Sequence, residues 1–528
     1  MKRTVGEVLI TLLERRGVDT IFGIPGVHTV EMYRGLSGSG IRHITPRHEQ
    51  SAGFMADGYA RASGKPGVCL LITGPGVTNA ITPMAQARAD SIPMLVISGV
   101  NRVATFGQEE GFLHELPDQQ AMMREVAVLS QTLHHAEDLE RVLDRAFAAM
   151  TAGRPGPVHI EVPLDVMKQL IDTPAERSMV PTRKVADPAI IAQAARLLEG
   201  ATHPLILAGG GAVGAADAIT ELAEALDAPV VTTTNARGVL GGHRLCVPAS
   251  PSLGTVRQLM AESDAVLAIG TQFGRTDYDM YEDGEAPALA CLIRVDCDAQ
   301  QVTRGRLPDV AIVANAEVAV QALTRQITDT DRNKGQGNLR AAQARGDSLA
   351  ELPPAYLDHI DVIDAITKAV PGCRIVGDST QVIYAGNMYA YISQPRGWFN
   401  AATGYGALGY GPSAAIGAAL GDAASPTVCI TGDGGLQFCL SELGTAMDEE
   451  TPVIFIVWNN NGYQEIERYM CDNVIVPEGV KPSAPDFVAV AGAYGMAAER
   501  IEGTDGLPAA LDRAKATGKA YLIEMVVP

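Results

Sequence analysis

The chain of 528 residues is too long for a single hydrophobic core and predicts about three domains. Hydrophobic residues make up 47% and charged residues 19%, the balance of a packed globular enzyme and not of a disordered or fibrous chain. A formal net charge of −20 with no Lys/Arg-dense stretch argues against nucleic acid as a partner; an anionic ligand then needs a local site built from backbone dipoles or a metal.

The N-terminal stretch MKRTVGEVLITLLERRGVDTIFGIPG reads as an amphipathic helix running into a strand, without the apolar core and cleavage site of a signal peptide. No charge-free apolar run reaches about 18 residues, so the expectation is a cytoplasmic protein with no membrane span. Strand-like runs follow at 19–26, 67–74, 93–99 and 157–163, with a helical pattern over 49–63 between them. A second set lies at 203–210, 229–234, 265–270, 291–296 and 310–315, and a third at 373–378, 427–434, 452–460 and 520–527. Near-continuous apolar strands alternating with helices predict parallel sheets covered on both faces. Residues 166–188 and 326–355 are polar and poor in apolar periodicity, and read as joins. The expected fold is therefore α/β, with three doubly wound parallel-sheet domains at 1–170, 186–328 and 355–528. The eight cysteines (69, 246, 291, 297, 373, 429, 439 and 471) form no C-x-x-C pair and mostly sit in apolar runs, as small core residues do.

Two strands of the third set end in oxygen-rich clusters, Gly432-Asp433-Gly434-Gly435 and Asn459-Asn460-Asn461-Gly462. In open α/β sheets ligands sit beyond the carboxyl ends of strands. A carboxylate at Asp433 and an amide oxygen at Asn460 suit a hard cation such as Mg²⁺ or Ca²⁺. Glycines 432, 434 and 435 let backbone N–H groups approach an anion, and a helix opening near Ser441 and Glu442 adds its polarity. Singly, each cluster also fits an Asp-Gly or Asn-Gly turn; as a pair on successive strands they suit a diphosphate bridged by magnesium.

Asp433 and Asn460 are 27 residues apart. This GDG…NN pattern resembles the magnesium–diphosphate signature of thiamine diphosphate enzymes. The resemblance implies that Asp433 and Asn460 give side-chain oxygens to Mg²⁺ and Gly462 its backbone carbonyl. RHEQSAGFMADGYARASGKPGV (47–68) is similar to the family's pyrimidine-domain segment, which makes Glu49 the cofactor-activating acid. ITGPGVTNA (72–80), PMLVISG (93–99), GRPGPVHIEVPLDV (153–166) and GYGALGYGPSAAIGAALG (404–421) extend the likeness over essentially the whole chain, toward acetolactate synthases and 2-oxo acid decarboxylases. By position, Leu408 props the cofactor into a bent shape and Gly406 offers a carbonyl to its amino group. Gln381 matches a cofactor-contacting glutamine, with Val382 where a His is common. The family pattern also implies a homodimer or homotetramer with active sites at subunit interfaces. Acetolactate synthases carry FAD in the middle domain, but GGGAVG (209–214), a single Gly-rich turn, does not decide between a scaffold and a nucleotide site.

Three places line the substrate pocket by family position: Val27-His28, His114-Glu115 and Tyr463-Gln464-Glu465, with Tyr463 on the cofactor side. Each also fits a solvated loop or a core-capping histidine. His28 and His114 are suited to a substrate carboxylate or to proton delivery, and Glu115, Glu465 and Glu467 to a cationic tail. FGIPGVHTVEMYRGL with LHELPDQ resembles 5-guanidino-2-oxopentanoate decarboxylases. The resemblance implies non-oxidative decarboxylation of a small 2-oxo acid to an aldehyde and CO₂. The alternative is acetolactate synthase-type joining of two 2-oxo acids, against which stands His114 in place of a Gln. A catalytically silent binding protein is a third reading, and the joint presence of Glu49, Asp433 and Asn460 argues against it.

Overall fold

Val453–Asn459 (VIFIVWN) shows no polar alternation, and every one of its residues is buried. A strand of that kind must be covered on both faces, and it lies at the centre of a parallel sheet. The computed structural model describes residues 2–175, 183–280, 287–328 and 335–527. The first sheet comprises β1 (Thr20–Phe22), β2 (Arg42–Ile44), β3 (Gly67–Leu71), β4 (Met94–Val100), β5 (Leu129–Thr132) and β6 (Pro157–Pro163). The second comprises β7 (Pro204–Ala208), β8 (Val230–Thr232), β9 (Cys246–Val247), β10 (Ala265–Ile269), β11 (Leu292–Asp296) and β12 (Val310–Val313). The third comprises β13 (Arg374–Gly377), β14 (Trp398–Asn400), β15 (Thr427–Gly432), β16 (Val453–Asn459), β17 (Ala497–Glu502) and β18 (Tyr521–Val526).

All pairings within these three sheets are parallel. The first and third sheets share one strand order, β2-β1-β3-β4-β6-β5 and β14-β13-β15-β16-β18-β17, whereas the second runs β9-β8-β7-β10-β11-β12. The second order is that of the doubly wound dinucleotide-binding fold. Three parallel α/β sheets bear out the expected fold class.

The polar joins hold more structure than expected. Leu170–Asp172 pairs antiparallel with Lys2–Thr4, so the first domain is closed by its own N-terminus. Gln336–Glu351, inside the stretch read as a join, is a helix. Its apolar positions are alanines: Ala341 and Ala344 are buried among residues of the second domain, beside Val256 and Leu259. Small side chains give little hydrophobic contrast, which is why the period is faint in the sequence. Residues 176–182 and 329–334, parts of both joins, lie outside the described residues.

The first and third domains dock through two helices, α1 (Glu49–Ser63) and α2 (Tyr410–Gly421). Glycines make the approach feasible. A Cβ on Gly58 would lie 2.0 Å from the Ala414 carbonyl oxygen, and one on Gly417 would lie 1.9 Å from that of Met55. A single apolar cluster runs from Phe22 and Phe54 through Tyr410 to Phe455, across both domains. At its edge the buried Arg61 donates to Asp57 (2.6 Å), Asp90 (2.7 Å) and Asn235 (3.0 Å), and the Tyr410 hydroxyl donates to the same Asp57 (2.6 Å), joining all three domains in one polar knot.

Candidate active site at the carboxyl ends of two sheets

The register of the third sheet sets the site. Gly432 on β15 pairs with Trp458 on β16, so Asp433 and Asn460 emerge side by side just past adjacent strand ends. Asp433 is buried, its Oδ2 has no hydrogen-bond partner, and burial raises its carboxyl above the usual range. The Asn460 amide oxygen lies 3.3 Å from Asp433 Oδ1 and 2.9 Å from the Gly462 carbonyl oxygen. Its nitrogen points away and donates to Gln381 Oε1 at 3.1 Å. In this orientation two acceptor oxygens thus face the amide oxygen of Asn460. Turning the amide over would relieve the conflict in a metal-free protein, and at such a position the orientation is an assignment. A divalent cation relieves it without any turn, and one carboxylate, one amide and one carbonyl form a hard-oxygen donor set. The residues therefore fit magnesium.

The cluster opens into a cavity of about 390 Å³. Gln381, Gly406, Leu408, Gly432, Asp433, Gly434, Gly435, Asn460, Gly462, Tyr463 and Glu465 all line it. Each residue the sequence assigned to the cofactor is therefore at one place, with Glu465 beside them. Gly434 is required by its neighbour: a Cβ there would come within 2.4 Å of the Tyr463 ring. Gly406 and Gly409 adopt positive φ (+75° and +79°), which shapes the turn that presents Leu408 to the cavity. Glu465 accepts from Gln381 Nε2 at 2.9 Å and from Arg468 at 2.7 Å. Glu467 instead pairs with Lys481 at 2.7 Å.

Asp378 was not singled out from the sequence, although it ends β13 as Asp433 ends β15. It is fully buried, accepts from Ser379 N (2.9 Å) and Gly409 N (2.8 Å), and so holds the turn that carries Leu408. Burial pushes its carboxyl up to about 6. The strand-end Asp in GDST was the available signal. Trp458 was also missed; its indole donates to Gln381 Oε1 at 3.0 Å and fixes that side chain.

The remaining expected residues lie apart from this cavity, at the carboxyl end of the first sheet. Glu49 opens α1, whose N-cap His48 accepts from Gln50 N at 3.1 Å; Asn79 donates to Glu49 Oε2 at 2.9 Å. His28 is buried with an unpartnered Nδ1, and its ring meets that of His114 edge-on at 5.0 Å. Burial, with His114 nearby, depresses the His28 imidazole and favours its neutral form. His114 holds a positive φ of +61°. Val27 is 66% exposed. Glu115 turns back on its own loop, accepting from Gly111 N (2.8 Å) and Phe112 N (2.9 Å). Glu49, His28, His114, Val27 and Glu115 are absent from the lining of the third-domain cavity.

A larger cavity of about 940 Å³ lies where β7 and β10 part. Gly210, Gly211 and Gly270 line it with Asp296 at the end of β11, and Arg88, Arg154, Arg304 and Arg396 line it from all three domains.

Residues 3–122, 191–323 and 378–525 match the family models of the thiamine pyrophosphate enzymes, described in turn as the N-terminal TPP binding domain, the central domain and the C-terminal TPP binding domain. A probable 2-ketoarginine decarboxylase of Pseudomonas aeruginosa is 41% identical over 534 residues, covering 99% of this chain and 94% of the relative. The large subunit of acetolactate synthase isozyme 1 of Escherichia coli is 30% identical, covering 94% of this chain and 89% of its own length. A probable acetolactate synthase large subunit of Methanococcus aeolicus is 29% identical, with 99% and 91% covered. Among the described residues no helix is long and apolar enough to cross a membrane.

Proposed function

The chain belongs to the thiamine pyrophosphate (thiamine diphosphate) enzymes, and from that premise we propose that it decarboxylates a 2-oxo acid with a cationic tail, 5-guanidino-2-oxopentanoate, to an aldehyde and CO₂ with Mg²⁺ as second cofactor. The observation that carries the reading is the meeting of the Asp433 carboxylate, the Asn460 amide and the Gly462 carbonyl just past adjacent strand ends, a hard-oxygen donor set that suits a cation. There Asp433, Asn460 and the Gly462 carbonyl would hold magnesium, and the backbone of Gly434 and Gly435 would meet the diphosphate. Bound thiamine diphosphate supplies a nucleophilic thiazolium carbon and an electron sink for CO₂ loss. Leu408, held by Asp378 through Gly409, would press on the cofactor from its turn. Glu49, oriented by Asn79, would exchange a proton with the pyrimidine ring.

The neutral His28 and its partner His114 would orient the substrate carboxylate and deliver the proton that completes the aldehyde. Glu465 is the acidic side chain on the cavity wall with no assigned part in metal binding, and it would receive the guanidinium. Because Glu49 and the histidines sit apart from the third-domain cavity, we infer a homodimer or homotetramer in which the first domain of a second copy closes that cavity. The order β9-β8-β7-β10-β11-β12 and the 940 Å³ cavity at its switch point support a nucleotide such as FAD in the middle domain. Flavin absorbance after acid extraction tests that part.

Joining of two 2-oxo acids is the second reading, favoured by the relatives named acetolactate synthases. One panel decides between them: 5-guanidino-2-oxopentanoate, pyruvate and benzoylformate, each scored for CO₂, aldehyde and hydroxyketone. Acetolactate from pyruvate with no turnover of the guanidino acid would reverse the assignment. Glu49→Gln is expected to lower turnover by roughly 100-fold or more, and full activity in that variant would remove the mechanism.

A further inference from the structure

Beneath the two histidines of the first domain runs a buried polar seam that the proposed chemistry does not use. Gln119, 3% exposed, lies at its centre. Its Oε1 accepts from Gly74 N at 3.1 Å, and its Nε2 donates to Gly99 O (3.1 Å), Ser98 Oγ (3.2 Å) and Glu161 Oε2 (2.9 Å). The two glycines it bridges are the points on which the histidines rest. A Cβ on Gly74 would stand 2.7 Å from the His114 carbonyl oxygen, and one on Gly99 would stand 2.7 Å from that of His28.

The amide cannot turn over freely. Glu161 accepts from Thr132 Oγ1 at 2.5 Å with its other oxygen, so it faces Gln119 as an acceptor and fixes which end is nitrogen. Ser98 is held in turn by His159, whose second ring nitrogen meets Ser130 at 2.9 Å. A further bond from Asn101 Nδ2 to Leu113 O (3.1 Å) ties the loop that carries His114. Every buried partner of the carboxamide is therefore committed, and the carboxamide is the only side chain among the described residues bonded to both glycines' backbones.

We propose that Gln119 is the positioning residue for the His28–His114 pair. By clamping Gly74 to Gly99 it sets the 5.0 Å edge-on approach of the two imidazoles. The inference rests on the proposed role of these histidines in proton delivery. A constellation whose geometry matters at the level of about 1 Å loses rate, and not ground-state binding, when its support is removed.

The test compares Gln119→Met, of similar length but unable to bridge, with Gln119→Glu, which keeps the acceptor for Gly74 while sharing one proton with Glu161. With cofactor and Mg²⁺ saturating, Gln119→Met is expected to lower kcat roughly 10- to 100-fold with KM within about threefold. Gln119→Glu should recover part of that loss. Adding Gln119→Met to His28→Gln/His114→Gln should slow the enzyme by less than about twofold further, because the clamp has then lost both rings that it positions. Losses that multiply, a change confined to KM, or equal impairment of both Gln119 variants would overturn the assignment. Full activity in His28→Gln and His114→Gln would instead strike the histidine reading on which it rests, a result separable from any outcome at Gln119. If Gln119→Met does not fold, a kcat left unchanged when Gln119→Glu is added to His28→Gln/His114→Gln still supports the clamp, and a further tenfold fall overturns it.

Discussion

Asp433→Asn should separate the stability of the empty protein from its capacity to bind cofactor, with opposite signs. Asp433 is 2% exposed, its Oδ2 makes no hydrogen bond, and its Oδ1 faces the Asn460 oxygen at 3.3 Å. Without a cation this is a buried charge with an unsatisfied acceptor. An amide of the same shape removes the charge and can donate toward Asn460. An unsatisfied buried acceptor costs about 1–3 kcal/mol, so the cofactor-free variant of this 528-residue chain should melt higher by roughly 1–3 °C. The wild type, given the magnesium complex of thiamine diphosphate at about 100 times its dissociation constant, gains about 2.7 kcal/mol by mass action. That is roughly 2–3 °C, and EDTA should reverse it. Asp433→Asn should show neither the gain nor the reversal. Thermal scans at one heating rate, with and without the ligands, give all four numbers. A variant that keeps the ligand-induced shift, or whose empty form melts several degrees below wild type, would refute the cation-site reasoning.

Three further outcomes follow from the geometry. The Asp378 carboxyl, pushed from 3.8 to about 6, binds its proton more tightly in the folded chain. Its contribution to stability is thus fully present below the unfolded value and is lost as pH rises through about 6, a change of about 3 kcal/mol. Urea midpoints of wild type should fall relative to Asp378→Asn over that window; a constant difference would show that Asp378 does not titrate in the fold. Gly417→Ala places a methyl 1.9 Å from the Met55 carbonyl oxygen and should cost about 1–3 kcal/mol by thermal melt, so an unchanged melt would contradict the docking of α1 on α2. Glu465→Gln should raise KM for the guanidino acid by roughly 10- to 100-fold while leaving pyruvate turnover within about threefold. Equal effects on both substrates would remove Glu465 as the guanidinium receptor.

The sequence by itself determined the family and the central strands, whereas the edge strands Arg42–Ile44, Leu129–Thr132, Cys246–Val247, Trp398–Asn400 and Ala497–Glu502 were not read from it. Runs such as VIFIVWN and AVLAI have one composition whatever surrounds them, because a strand covered on both faces must be apolar throughout. The diphosphate half of the site was equally legible. Its residues lie within short stretches at strand ends, and a shared register carries each of them to one cavity. Asp378 and Gln119 were not legible, since their roles rest on which backbone N–H groups a buried oxygen meets, and those groups come from distant strands and turns. The helix at Gln336–Glu351 was missed for a related reason: its buried face is alanine, and only the second domain packed against it shows that face to be apolar. Only the tertiary structure decided that, within one chain, Glu49 and the two histidines stand apart from the oxygen cluster at Asp433, Asn460 and Gly462. The sheets put each group at a carboxyl end, but the packing of α1 on α2 settles which ends meet, and no local pattern in the chain encodes that choice.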